Sequence, residues 1–167
     1  METFKVVEGC ETYLISDFGN VKNNTTGYIL KNSIDSAGYG LVVLMHNKKK
    51  HYFKTHRLVA TSFIVNPEGK LCIDHINNDK MDNNVKNLRW TTHTENYQNR
   101  KINKNNTSSV KGVSYDKTTK KWQANISIDG LQIHLGKFTN LEDAKQARMI
   151  KANEAFGVFT NSCEKII

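Results

Sequence analysis

The 167 residues predict an α+β chain built from small modules, and three observations carry that reading. Hydrophobic residues make up only 38% of the chain and the mean hydropathy is −0.58, so no long stretch supplies one large core. Through the first hundred positions short apolar runs alternate with Gly, Asn and Asp turn residues, the pattern of short strands. The last third instead reads as three strand-like runs followed by one long helical pattern.

The N-terminal stretch places Phe4-Lys5-Val6-Val7, Tyr13-Leu14-Ile15, Val21 and Tyr28-Ile29-Leu30 between turns, so short strands or hairpins are expected there. Tyr39 to Met45 and Tyr52 to Lys54 form a further pair across Asn47-Lys48-Lys49-Lys50. Those three lysines are either a solvated tip or a contact for phosphate. Thr55 is positioned to cap a helix that runs from His56 through Phe63 and stops before Pro67. His56, near that helix start, reads as a structural group or a support behind the site, with a catalytic role as the alternative.

The densest chemistry lies between Leu71 and Arg100. Leu71-Cys72-Ile73 is a strand that delivers Asp74 and His75 at its end, followed by a turn-rich loop to Lys86. Leu88 to Thr91 returns as a second strand, and Thr92-His93-Thr94-Glu95 has the form of a capping box for a helix carrying Asn96. Leu71, Ile73, Leu88 and Trp90 are the expected core of this unit. A neutral imidazole at His75 can take a proton from water near pH 7. Asp74 offers a carboxylate and Asn96 an amide oxygen, a sparse oxygen donor set that suits a hard divalent cation.

Asp74-His75, Asp82-Asn83-Asn84, Asn87-Leu88-Arg89-Trp90 and the capped Asn96 together resemble the HNH, or ββα-metal, nucleases, and the phage intron-encoded homing endonucleases in particular. The resemblance implies His75 as general base, Asn87 as a brace for the loop and the base, and Asp74 with Asn96 as metal ligands. It leaves His93 as a competitor for Asn96. Asp82 and Asn84 are explained as loop formers. One divalent cation, Mg²⁺ or Mn²⁺, is implied. Structural zinc is not expected, because Cys10, Cys72 and Cys163 offer no Cys-x-x-Cys pair. The stretch Tyr13 to Lys22 resembles a small module found ahead of such nuclease cores.

Ile102 to Ser109 has the composition of a linker. Beyond it, Gly112 to Tyr115, Lys121 to Ile128 and Gln132 to Phe138 are strand candidates, with Asp129-Gly130 a strong hairpin signal. Thr139-Asn140-Leu141-Glu142-Asp143 opens a helix that runs through Ala155 to Phe156 and is ended by Gly157, which would lay Ala144, Ala147, Ile150 or Lys151, Ala152 and Ala155 against the sheet. Lys111-Gly112-Val113, Trp122-Gln123-Ala124, Leu135-Gly136-Lys137-Phe138 and Phe156-Gly157-Val158-Phe159 resemble the APETALA2-type DNA-binding domain. In that family the sheet enters the major groove, which implies a DNA-facing set of Lys111, Ser114, Lys121, Asn125, Ser127, Gln132, His134 and Lys137. Asn125 and Gln132 are the candidates for base edges, and the lysines for phosphates.

The expected division is therefore a β-rich module over 1–54, a nuclease core over 55–101, a linker over 102–108 and a DNA-binding domain over 109–162. The net charge of +8 suits a polyanion, and +5 of it falls in residues 101–167. The expected partner is double-stranded DNA, bound as a monomer and without a membrane. No signal-like segment opens the sequence, the longest apolar run is too short to span a bilayer, and the cysteines fit a reducing compartment, so an intracellular protein is expected. The resemblance adds a viral, phage or mobile-element gene whose product acts in a host cytoplasm or nucleus. The function these readings converge on is a site-directed, homing-type DNA endonuclease. The alternative is a non-enzymatic DNA-binding transcriptional regulator that keeps the nuclease fold as scaffold.

Overall fold

The computed structural model of the chain describes residues 1–103 and 105–165; Lys104, in the expected linker, lies outside the described residues. The chain divides into two compact units, Met1–His93 and Thr94–Ile167.

The first unit contains three antiparallel sheets and a helix. β1 (Phe4–Val6), β2 (Tyr13–Ser16) and β3 (Val21–Asn23) form one sheet in that order. Tyr28-Ile29-Leu30 contributes only an isolated bridge, Ile29 to Lys22, in place of the expected strand. The second sheet joins β4 (Ser33–Ile34), β5 (Gly40–His46) and β6 (Lys49–Lys54). Its hairpin turns on Asn47 and Lys48 alone, both at positive φ (51° and 59°), so Lys49 and Lys50 belong to the strand and not to the turn.

α1 (Thr55–Phe63) follows without a break. Thr55 is its first residue and not its cap: its hydroxyl donates to Asn32 Oδ1 at 3.1 Å, which ties the helix to the preceding module instead of to its own amides. Leu58, Val59 and Ala60 are buried in one continuous core that also takes in Val7, Ile15, Val21, Val42, Leu44, Ile73 and Leu88. Each fully buried aliphatic side chain there contributes roughly 1.5–3 kcal/mol.

β7 (Cys72–His75) and β8 (Leu88–Thr91) pair antiparallel, with Asp74 opposite Arg89 and His75 opposite Leu88. Ile73 and Leu88 are buried and Trp90 packs on them, its indole N–H donating to Ile64 O at 3.0 Å. Leu71, expected in this core, precedes the strand and is 73% exposed.

α2 (His93–Gln98) begins directly after Thr92, as the capping-box pattern predicts. The second unit then forms a sheet in the order β11-β10-β9, from β9 (Val113–Asp116), β10 (Lys121–Ile128) and β11 (Leu131–Phe138). Asp129 and Gly130 turn the β10–β11 hairpin at φ 49° and 80°. α3 (Leu141–Phe156) is capped by Asn140, whose side chain accepts from Asp143 N, and ends at Gly157. Trp122, Ala124 and Ile126 alternate inward toward α3. The buried stripe of α3 is Ala144, Arg148, Ala152 and Phe156, so a charged residue stands where small residues such as Ala147 and Ala155 were expected. The charge is answered by Glu164, 3.0 Å from the guanidinium and equally buried. No helix among the described residues is long and apolar enough to cross a membrane.

Candidate active site

His75 and Asp74 end β7 with both side chains buried. The ladder sets what each one meets. Asp74 faces Arg89 across the β7–β8 pair, and its Oδ2 accepts from Arg89 Nε at 2.9 Å and Nη2 at 2.7 Å. These are charge-assisted bonds in a largely desolvated position, and they fix the carboxylate plane.

His75 lies against His56 of α1 and against Tyr39, which directly precedes β5. Its ring is 5.1 Å, edge-on, from the ring of His56 and 5.9 Å from that of Tyr39. Its Nε2 is 3.3 Å from Asn83 Oδ1. Burial pushes the His75 pKa below the ordinary histidine range, the Asn83 contact and the charges of Asp74 and Asp82 opposing, so the ring is neutral at pH 7. His56 is held lower still, to about 4, chiefly by burial and then by the proximity of His75, Lys54 and Arg57. Its Nδ1 is buried without a hydrogen bond. Lys54 and Lys80 lie 4.7 and 4.5 Å from the Tyr39 ring, so two cations flank this cluster.

The loop between the strands is held by its own Asx residues. Asn87 Oδ1 accepts from Asn77 N at 3.0 Å and its Nδ2 donates to Asp82 O at 2.8 Å, closing the loop across its base. Asp82 Oδ2 accepts from Asn77 Nδ2 at 2.7 Å, and Asn84 caps the 3₁₀ turn Val85–Asn87. Asn87 thus contacts the loop, while the imidazole is met by Asn83. Asn83 was named in the sequence only as part of the Asp82-Asn83-Asn84 run and Tyr39 only as a strand start, and neither was given a role beside His75, since no periodicity or spacing distinguishes one Asn among three or one Tyr at a strand start.

Asn96 is half-buried on α2, just past the division between units. His93 is turned to Cys72, its Nδ1 3.3 Å from the thiol sulfur. The donors at this site are oxygens, and no group of three or more His, Cys, Asp or Glu among the described residues could hold a metal ion. One fixed carboxylate fits a hard divalent cation that takes its remaining ligands from water and phosphate.

In the second unit the expected DNA-facing residues fall into two groups. Asn125, Ser127, Gln132 and His134 share one face of β10 and β11, paired Asn125 to His134 and Ser127 to Gln132. His134 Nδ1 is 3.1 Å from Asn125 Oδ1, and Gln123 Nε2 joins both. Ser114 and Lys121 are exposed. Lys137 is paired with Asp116 at 2.7 Å, which holds that carboxyl well below the usual range. Lys111 is turned inward: its ammonium donates to Gln98 O at 2.6 Å and Arg100 O at 3.1 Å and lies 3.5 Å from Glu164. A phosphate contact by Lys111 would have to break these bonds.

Two short strands that present Asp and His at their junction with a braced loop, followed in the chain by a helix, have the element order of the ββα nuclease cores of the HNH class. Comparison with known proteins agrees: residues 53–98 match the family model described as HNH endonuclease, and residues 2–44 the model described as NUMOD4 motif. The chain is 43% identical over 94 residues to an uncharacterized HNH endonuclease, L247, of Acanthamoeba polyphaga mimivirus, covering 55% of this chain and 24% of that protein. It is 36% identical over 97 residues to the DNA endonuclease I-HmuI of Bacillus phage SP01, covering 58% and 56%. The solved structure "DNA binding and cleavage by the HNH homing endonuclease I-HmuI" matches with a TM-score of 0.55 and 27% identity, over 93% of this chain and 83% of that one. The chain spans about a quarter to about half the length of the curated relatives it matches. These relatives come from viruses and phages.

Proposed function

We propose that this chain is a site-directed DNA endonuclease of the homing type, encoded by a virus or mobile element, which hydrolyses phosphodiester bonds in double-stranded DNA. The observation that carries the reading is the buried Asp74-His75 pair at the end of β7, with the carboxylate fixed by Arg89 and the imidazole kept neutral by burial.

His75 takes the proton of the attacking water. Asp74 and Asn96 are the protein ligands for one divalent cation, Mg²⁺ or Mn²⁺, with His93 the less suited donor because its Nδ1 is engaged by Cys72. When bound, such a cation supplies charge relief on the phosphate and on the departing oxygen. Asn87 holds the loop, and so the exit of β7, in one conformation.

Cutting and choosing are separate tasks, since phosphate contacts give affinity without sequence. In this division residues 55–101 cut, 102–108 connect, and 109–162 read, with the β-rich 1–54 completing the nuclease core. The reader is an APETALA2-like module in which Asn125 and Gln132 meet base edges while Lys121 and Lys137 meet phosphate. The order β11-β10-β9 on one helix and the polar outer face support this. The chain acts on DNA as a monomer. Nicking or linearisation of supercoiled plasmid in Mg²⁺ or Mn²⁺, abolished by chelator, is the result expected. DNA binding with no cleavage in either metal would replace this reading with the regulator.

A further inference from the structure

The loop places one asparagine where it does more than shape a turn. Asn83 is 4% exposed, and its two amide ends are assigned by different partners. Its Nδ2 donates to Met81 O at 3.2 Å, which leaves Oδ1 directed at His75 Nε2, 3.3 Å away. An amide oxygen only accepts, so His75 must donate from Nε2. The neutral ring then carries its lone pair on Nδ1.

The seat of this amide is built by the N-terminal module. A Cβ at Gly19 (φ +87°) would lie 2.8 Å from Asn83 Cβ, and one at Gly40 would lie 3.1 Å from Asn83 Nδ2. A side chain at Gly19 would collide with Asn83, and one at Gly40 would crowd it. The loop is also pinned where Val85 N donates to Asp17 O at 2.8 Å.

We propose that Asn83 is a positioning residue for His75: the Met81 carbonyl orients its amide, and the amide selects the Nε2–H tautomer and fixes the plane of the imidazole. The assignment rests on His75 being the base in the reading above. Asn83 touches no substrate and acts through the ring alone, in the way that groups behind a catalytic or ligating histidine set its tautomer.

The test is ¹⁵N NMR of the His75 ring in the full chain, metal-free at pH 8, with its signals assigned by their loss in His75→Ala, alongside plasmid-nicking kinetics in Mn²⁺. The parent is expected to show the Nε2–H tautomer. Asn83→Ala should lose it, with kcat down about tenfold or more and KM for plasmid unchanged. Asn83→Leu, close in volume, takes the place of the alanine variant if that one does not fold. Asn83→Asp retains an acceptor and should keep the Nε2–H tautomer and recover part of kcat. A folded Asn83→Ala or Asn83→Leu with the parent ring spectrum, or with parent kcat, would overturn the proposal. A parent that shows the expected tautomer, lost on substitution, yet cuts no DNA would instead contradict the nuclease reading and leave the hold of Asn83 on the ring established.

Discussion

Arg89 closes on Oδ2 of Asp74, with Nε at 2.9 Å and Nη2 at 2.7 Å. The partners are unequally buried: the Asp74 side chain is 5% exposed and that of Arg89 18%. Removing the guanidinium therefore leaves a buried carboxylate, whereas removing the carboxylate leaves a cation on a flexible stem that can reach water. Arg89→Ala should destabilise the first unit by about 3 kcal/mol, and Asp74→Ala by clearly less. Denaturant unfolding of the two variants checks the order. Asp74→Ala should nonetheless lose metal-supported cleavage while keeping its affinity for DNA.

His56 links pH to stability. Its folded pKa of about 4 lies below the ordinary value of 6.5, so the unfolded chain binds its proton first as the pH falls. The associated stability is fully present above about pH 6.5 and is lost on the way down toward pH 4, at a limiting slope of about 1.4 kcal/mol per pH unit. His56→Phe, which also removes the unpartnered Nδ1, should flatten the profile in that window. Thermal melts at pH 7.5, 6 and 5 measure this, and an unchanged slope in the variant would refute the assignment.

Gly112 is a second tight spot. At φ +71° its Cβ would collide with the Asn125 carbonyl and stand 2.6 Å from Arg148 Nε, in the middle of the Lys111–Glu164–Arg148 cluster. Gly130, at φ +80°, has open space around it. Gly130→Ala should cost about 1 kcal/mol from backbone strain alone, and Gly112→Ala considerably more. Comparing the two melts separates strain from collision.

The lysines of the second unit should split by role. Lys111→Met should lower the unfolding temperature, because Glu164 and the Gln98 and Arg100 carbonyls lose their cation. Lys121→Ala, at an exposed strand end, should leave the fold unchanged, weaken DNA binding and shallow its salt dependence by about one counterion. Salt-titrated binding assays with both variants check it. Asn125→Ala should relax sequence preference more than it lowers overall affinity.

Much of this architecture was legible in the sequence because its signals are local. Period-2 alternation gave β10, Asp129-Gly130 its hairpin, and Gly157 the end of α3, whereas the sequence left its first residue within Thr139–Asp143 and the structure assigns the cap to Asn140. Asp74 and His75 were legible because a short apolar strand delivers them into a turn. What escaped depends on contacts distant in the chain. Glu164 lies beyond the expected end of its domain and matters only because α3 buries Arg148 opposite it. Asn83 looks like any turn asparagine until Gly19 and Gly40 are folded onto it. Leu71 was expected inside on its type, and the strand that would have buried it begins one residue later.

The role of His75 as the base for metal-supported DNA cleavage is measured by comparing the parent with His75→Ala on supercoiled plasmid in Mg²⁺ and Mn²⁺, with DNA affinity followed in parallel. The parent should cleave, and the variant should lose about a hundredfold or more of that rate at unchanged affinity. Cleavage by His75→Ala at the parent rate, or an inert parent in both metals, would contradict it.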